Sequence, residues 1–187
     1  MAVTFARGFR AGTAACGIKA FTTGATAIPT AQRDDLCVIH SERGCDTGGV
    51  FTTNKVKSAG VVIDQLHLQH NRVRALAINS GNANACTGAQ GFKDALLMAK
   101  LTADRLDLDP HQVLVSSTGV IGRYLPMAAI KTGITEACAN LSHDGGERAA
   151  RAIMTTDTFP KVATAAVKLG NANVTICLLY TSDAADE

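Results

Sequence analysis

The sequence predicts a mixed α/β domain, and three observations carry that prediction. Short apolar runs such as LCVIH (36–40), RALAINS (74–80) and VLVSSTG (113–119) end abruptly, the last two on Ser, Thr or Gly, as strands buried in a sheet do. A longer stretch, QGFKDALLMAKLTADRL (90–106), places Phe92, Ala95, Leu96, Ala99 and Leu106 at helical spacing, the period of an amphipathic helix. The two kinds of segment interleave along the chain.

Taken in order, the N-terminal GFRAGTAACGIKA (8–20) is Gly-rich and weakly patterned, and carries no clear element. LCVIH is a buried strand followed by the loop SERGCDTGG (41–49). GVFTTNKV (49–56) is expected to be a second strand, because Val, Phe and Thr favour a pleated surface. VVIDQLHL (61–68) is expected to start as a strand and turn helical. After the helix at 90–106, LDPHQ breaks the pattern. PMAAIKTGITEACANL (126–141) is a helix with proline in its first turn. DGGERAARAIMTTD (144–157) is expected to be a helix ending in a threonine cluster, and KVATAAVKLGNANVTI (161–176) a hairpin turning at LGNAN.

Composition narrows the function classes. The 187 residues suffice for one compact domain without staples. Hydrophobic residues make up 47% and charged residues 18%, so the core is built from Ala, Val, Leu and Ile. The net charge of +2 is scattered and not interleaved with aromatics, so no nucleic-acid partner is expected. No apolar run approaches the roughly 20 residues of a membrane span, so no membrane association is expected either. Cys16, Cys37, Cys45, Cys86, Cys138 and Cys177 lie far apart with no CxxC pair. They read as reduced thiols, and the expected location is the cytoplasm.

Three stretches share one grammar: NSGNANACTG (79–88), SSTGVIG (116–122) and TTDTFPK (155–161). In each, an apolar segment delivers small hydroxyl, amide or glycine residues. Glycines there let the main chain expose N–H groups to an anion or oxyanion. Each cluster alone is also ordinary turn or cap chemistry. Ser116, Ser117 and Thr118 have no GxSxG elbow or SxxK partner, so a donor role suits them better than nucleophilic attack. Asp157 and Lys161 fit either a substrate-orienting pair or a simple cap. The five histidines, His40, His67, His70, His111 and His143, show no metal-ligand spacing and read as surface or packed side chains.

In combination, GFRAGTAACGIKA, GGVFTTNKVKSAGV, AINSGNANACTG, VLVSSTGVIGRYLPM and AIMTTDTFPK occur in an order and at separations that resemble one family. It is the glutamate N-acetyltransferase, or ornithine acetyltransferase, family of arginine biosynthesis, and the resemblance covers residues 3 to about 176. It implies a layered αββα fold of the self-processing aminopeptidase type, here incomplete. It also implies a precursor that cuts itself into α and β chains, assembled as two of each. The freed threonine takes an acetyl group from N-acetylornithine and passes it to glutamate, and some members also accept acetyl-CoA. No other cofactor and no metal are implied. In such a family the STG turn supplies the oxyanion hole, which falls here on Thr118 and Gly119. The start of TTDTFPK binds substrate, which falls on Thr155, with Thr156 as its neighbour.

The chain departs from the family after the hairpin. The family continues into a segment holding a substrate-binding lysine and the nucleophilic threonine, whereas this sequence reads CLLYTSDAADE (177–187). Residues 1–176 are therefore expected to be the N-terminal part of the acetyltransferase domain, with no nucleophile in this chain and no activity alone. Residues 177–187 are expected to be non-native, because codons for Cys177–Ser182 can spell a transposon end used in sequencing adapters. Two other readings stand beside this one: a binding module for a small anion or amino acid, and a self-cleaving aminopeptidase of related fold.

Overall fold

The computed structural model describes residues 2–19, 33–70 and 72–180. In chain order these form β1 (Phe9–Ala14), β2 (Leu36–Ser41), α1 (Ala59–His67), β3 (Ala75–Asn82), α2 (Gly88–Leu106), β4 (Val113–Val120), α3 (Met127–Ala139), α4 (Gly146–Ala152), β5 (Lys161–Leu169) and β6 (Ala172–Tyr180). Strands β1 to β4 make one sheet in sequence order. The β1–β2 and β2–β3 pairings are antiparallel, and β3–β4 is parallel. A parallel pair needs a long crossover, and α2 supplies it.

Strand periodicity sorts the apolar side chains onto two faces. Leu36, Val38, Ala75, Ala77, Val113 and Val115 pack against Ile63 of α1, Met98 and Ala99 of α2, and Ile130 and Ile134 of α3. Ala11, Cys37, Ile39 and Ile78 pack on the opposite face against Ala149 and Ala152 of α4 and Ile153 just beyond it. Leu179 of β6 joins this second cluster at its margin. The layers are therefore three helices, a four-stranded sheet, and α4 on the opposite face, with the largely exposed β5–β6 hairpin reaching that face through Leu179.

Both open edges of the sheet are closed by polar contacts rather than left as templates for another strand. On the β1 side, Ala11 and Ser142 exchange two main-chain hydrogen bonds of 3.0 Å each. On the β4 side, α1 stands in for a neighbouring strand. Asp64 Oδ1 accepts from the Val115 N–H at 2.9 Å, and His67 Nδ1 donates to the Val113 carbonyl at 2.7 Å. Gly60 allows this approach, since a Cβ there would crowd the Val115 carbonyl. The His67 ring also meets His111, which in turn lies against His70.

Four expectations change. GVFTTNKV is not a strand: it runs as exposed coil with Val50 and Val56 in solvent, because the sheet offers it no neighbour. VVIDQLHL is helical throughout, started by Ser58, whose side chain accepts from the Val61 N–H, and drawn into a helix by its contacts along β4. The helix expected over 144–157 is α4 alone, and Met154 onward forms a strap. The weakly patterned N-terminus contains β1, whose small residues pack closely: a Cβ on Gly12 would overlap the Ala137 carbonyl of α3. The hairpin expected at 161–176 is present, turning at Gly170, and β6 runs on in register through Cys177 to Tyr180. Residues 181–187 lie outside the described residues, as does Ala20 at the end of the first motif.

Burial pushes the Asp64 carboxyl up from 3.8 to about 7, although the Val115 N–H opposes this. The folded state therefore binds a proton that the unfolded chain has released, and this group makes stability fall as pH rises across that interval. Asp64→Asn keeps an acceptor for Val115 and removes the charge. Thermal melts of D64N are expected to match the parent at pH 4 and to show a higher Tm at pH 8.

Candidate functional site

The C-terminal ends of the parallel strands β3 and β4 lie side by side in register, Asn79 with Ser117, Ser80 with Thr118 and Gly81 with Gly119. This is where a strand pair can present main-chain groups to a ligand. Gly81 has φ +114° and Gly119 has φ +132°, a region open to glycine and strained for other residues. Each is also pressed against main chain: a Cβ on Gly119 would fall on Gly81, and one on Gly81 would crowd Ile18 and Lys19. The Thr118–Gly119 turn is thus held by contact as well as by conformation. Thr118 is half-buried and Gly119 is exposed, so the turn faces outward from a rigid base.

That base is a network of buried amides. Asn79, Asn82 and Asn84 are 0%, 0% and 1% exposed. Ser117 Oγ donates to Asn79 Oδ1 at 2.6 Å, and Asn79 Nδ2 donates to the Asn82 carbonyl at 2.9 Å. Asn82 Oδ1 accepts from the Asn84 N–H at 3.1 Å, while its Nδ2 donates to the Tyr124 carbonyl at 3.0 Å. Asn84 continues the chain to the Gly91 carbonyl and accepts from Thr87 Oγ1. The turn is bracketed on both sides, by Ser117 before it and Tyr124 after it. The motif NSGNAN was legible as turn chemistry, but its amides are buried ties, and only packing reveals that.

Thr155 lies elsewhere, on the wall of a cleft of about 670 Å³ between the Lys19 and Asp34 region, α4 and the 154–160 strap. Thr156, Thr118 and Gly119 do not line it. The strap is shaped by Asp157, whose carboxylate accepts from Lys161 Nζ at 2.7 Å and from the Thr155 N–H at 3.3 Å. Burial alone would raise the Asp157 carboxyl, but these partners together hold it below its ordinary value. Of the two sequence options for this pair, its visible contact is internal: it braces the strap.

Lys19 connects the two places. Its main chain lies against Gly81, and its ammonium donates to the Asp34 carbonyl at 3.0 Å and the Ala152 carbonyl at 3.1 Å. Burial lowers its pKa. The segment is anchored by Asp35, whose carboxylate accepts the N–H groups of Cys16, Ile18 and Lys19. Lys19, Arg33, Arg148 and Arg151 on the cleft were not singled out from sequence, because they are far apart in the chain and share no motif. Among the described residues no group of three His, Cys, Asp or Glu side chains is placed to hold a metal ion, and no helix is long and apolar enough to cross a membrane.

Gly119→Ala is expected to lower stability by at least ~2 kcal/mol, because it adds both backbone strain and overlap with Gly81. Asn82→Ala strips partners from buried groups and is expected to cost about 1–3 kcal/mol. Both are read as lowered urea midpoints.

Comparison with known proteins follows the same geometry. The family described as ArgJ matches residues 10–180. The arginine biosynthesis bifunctional protein ArgJ of Symbiobacterium thermophilum is 46% identical over 174 residues, which cover 93% of this chain and 41% of that protein. The chain thus spans well under half the length of this relative. The crystal structure of the arginine biosynthesis bifunctional protein ArgJ from Bacillus halodurans superposes with a TM-score of 0.86 at 32% identity, covering 98% of this chain and 91% of that one. Ornithine acetyltransferase from Mycobacterium tuberculosis, solved complexed with ornithine, superposes with a TM-score of 0.83 at 36% identity, covering 96% of this chain and 90% of that one. The αββα-type arrangement and the motif order therefore have one source: the chain belongs to the ArgJ family.

Proposed function

We propose that this chain is the N-terminal part of an acetyltransferase of arginine biosynthesis, which moves an acetyl group from N-acetylornithine to glutamate. The observation that carries the reading is the Thr118–Gly119 turn, a hydroxyl and a main-chain N–H at the end of a parallel strand pair, held by glycine contacts and buried amides. Such a preorganised pair suits a carbonyl oxygen that gains negative charge.

The chemistry divides into two acyl transfers. A threonine hydroxyl, supplied by sequence beyond this chain, attacks the acetyl carbonyl of N-acetylornithine. The C–N bond breaks, and the ornithine amine leaves with a proton. The amine of glutamate then attacks the acetyl-threonine ester, a C–N bond forms as the ester C–O bond breaks, and the threonine oxygen takes up the proton that the amine loses. The oxyanion of each tetrahedral intermediate is stabilised by Thr118 Oγ and the Gly119 N–H. Splitting the transfer in this way replaces one difficult step with two easier ones. Thr155, on the cleft wall, contacts the substrate in this reading, with Thr156 beside it. The reading includes a β chain made from the same precursor, an assembly of two α and two β chains, a cytoplasmic location, and no cofactor beyond acetyl-CoA as an alternative donor.

The chain as it stands is expected to catalyse no acetyl exchange between N-acetylornithine and glutamate, and the chain extended through the threonine segment is expected to do so. In the extended protein, Thr118→Ala is expected to lower kcat by about 100-fold to 1000-fold with a smaller change in KM. Exchange catalysed by the unextended chain would overturn the assignment of the nucleophile.

A further inference from the structure

The described residues of the cleft beside the turn leave its positive charges in excess. Among the described residues its walls carry four cations, Lys19, Arg33, Arg148 and Arg151, and two carboxylates, Asp34 and Asp157, which leaves an excess of 4 − 2 = 2 positive charges. Both carboxylates are committed. Asp34 accepts from Arg148 at 3.0 and 3.2 Å and from Thr13 at 2.6 Å. Asp157 accepts from Lys161 at 2.7 Å, a cation that is not on the cleft wall. Arg33 and Arg151 are exposed and make no ion pair among the described residues. An arginine fork matches a carboxylate or phosphate with two parallel hydrogen bonds.

The remaining wall is apolar. Met154, Phe159 and Pro160 come from the strap, and Phe159 is left 63% exposed beside the arginines. A volume of about 670 Å³ lies in the range of small-molecule sites. The cleft also adjoins the turn through a continuous stack, since Gly119 lies on Gly81 and Gly81 lies on the main chain of Lys19, a cleft residue.

We propose that this cleft is an oxyanion subsite in which Arg151 and Arg33 hold the free carboxylate of an acyl-amino acid, with its aliphatic body on Met154 and Phe159. The inference rests on the reading above for the identity of the ligand, and it adds two specificity-determining arginines that no shared motif marks. Arg148, held by Asp34, serves as the fixed wall, and Lys19 as the joint between subsite and turn.

Calorimetry on this chain tests it, with N-acetyl-L-ornithine, its α-carboxamide and inorganic phosphate as probes. N-acetylornithine is expected to bind at least tenfold more tightly than the carboxamide. The double variant Arg33→Gln with Arg151→Gln is expected to lose at least tenfold in affinity with an unchanged melting curve, since both side chains are exposed. Arg151→Lys in the parent background is expected to retain part of the affinity. Phosphate binding without N-acetylornithine binding would reassign the cleft to a phosphorylated ligand and overturn the carboxylate proposal. Affinity unchanged in the double variant, or no binding of any probe, would overturn it as well. In the extended protein the same double variant should raise KM for N-acetylornithine and leave kcat nearly unchanged. Exchange with an unaltered KM would sink the subsite while leaving the acetyltransferase reading intact. Absence of exchange with arginine-dependent carboxylate binding would do the reverse.

Discussion

The parallel pairing of β3 with β4 is the constraint on which the rest of the structure depends. It sets Gly81 beside Gly119 at the strand ends, where neither position tolerates a side chain. It demands a crossover, which α2 provides, and α2 in turn brings Met98 and Ala99 into the core under the sheet. It also leaves β4 as the sheet edge. Because a bare edge invites pairing with another chain, α1 runs along it, with Asp64 and His67 serving the Val115 N–H and Val113 carbonyl. One pairing therefore organises the turn, the crossover and the edge.

The turn obtains its rigidity from groups that never reach solvent. Asparagine is unusual in a core, because each side chain brings two donors and two acceptor lone pairs that need partners. Asn79, Asn82 and Asn84 find them in one another, in Ser117 and Thr87, and in main-chain carbonyls on both sides of the turn. A satisfied network of this kind fixes geometry as well as energy, since losing one member leaves several buried groups unpaired. On the opposite face Asp35 does similar work for the N-terminal segment, gathering three N–H groups and holding Lys19 between Gly81 and the cleft. Turn and cleft are thus two outlets of one packed centre.

Local pattern made much of the architecture legible. The strands at 36–41, 75–82 and 113–120, the helix at 88–106 and the hairpin follow from apolar runs, periodicity and turn residues that agree with their surroundings. The failures share a cause. Val, Phe and Thr in GVFTTNKV favour a strand, but a strand needs a neighbour, and the sheet has none to offer there. VVIDQLHL carries β-branched residues yet is helical, because the contacts of Gly60, Asp64 and His67 along β4 outweigh propensity. β1 was illegible because its Gly and Ala residues are chosen for close approach to α3 and α4 rather than for strand preference.

The sequence by itself determined the α/β class and the family motifs, since residue type and order along the chain suffice for these. Only the tertiary structure decided that Gly119 rests on Gly81, that the amides of NSGNAN are buried ties, and that Thr155 faces a cleft the turn does not line. It alone also assembled Arg33 and Arg151, more than a hundred residues apart in sequence, on one wall. The physical reason is range. Propensity and periodicity act over a few residues, whereas burial, charge balance and close main-chain approach depend on which distant segments the sheet brings together.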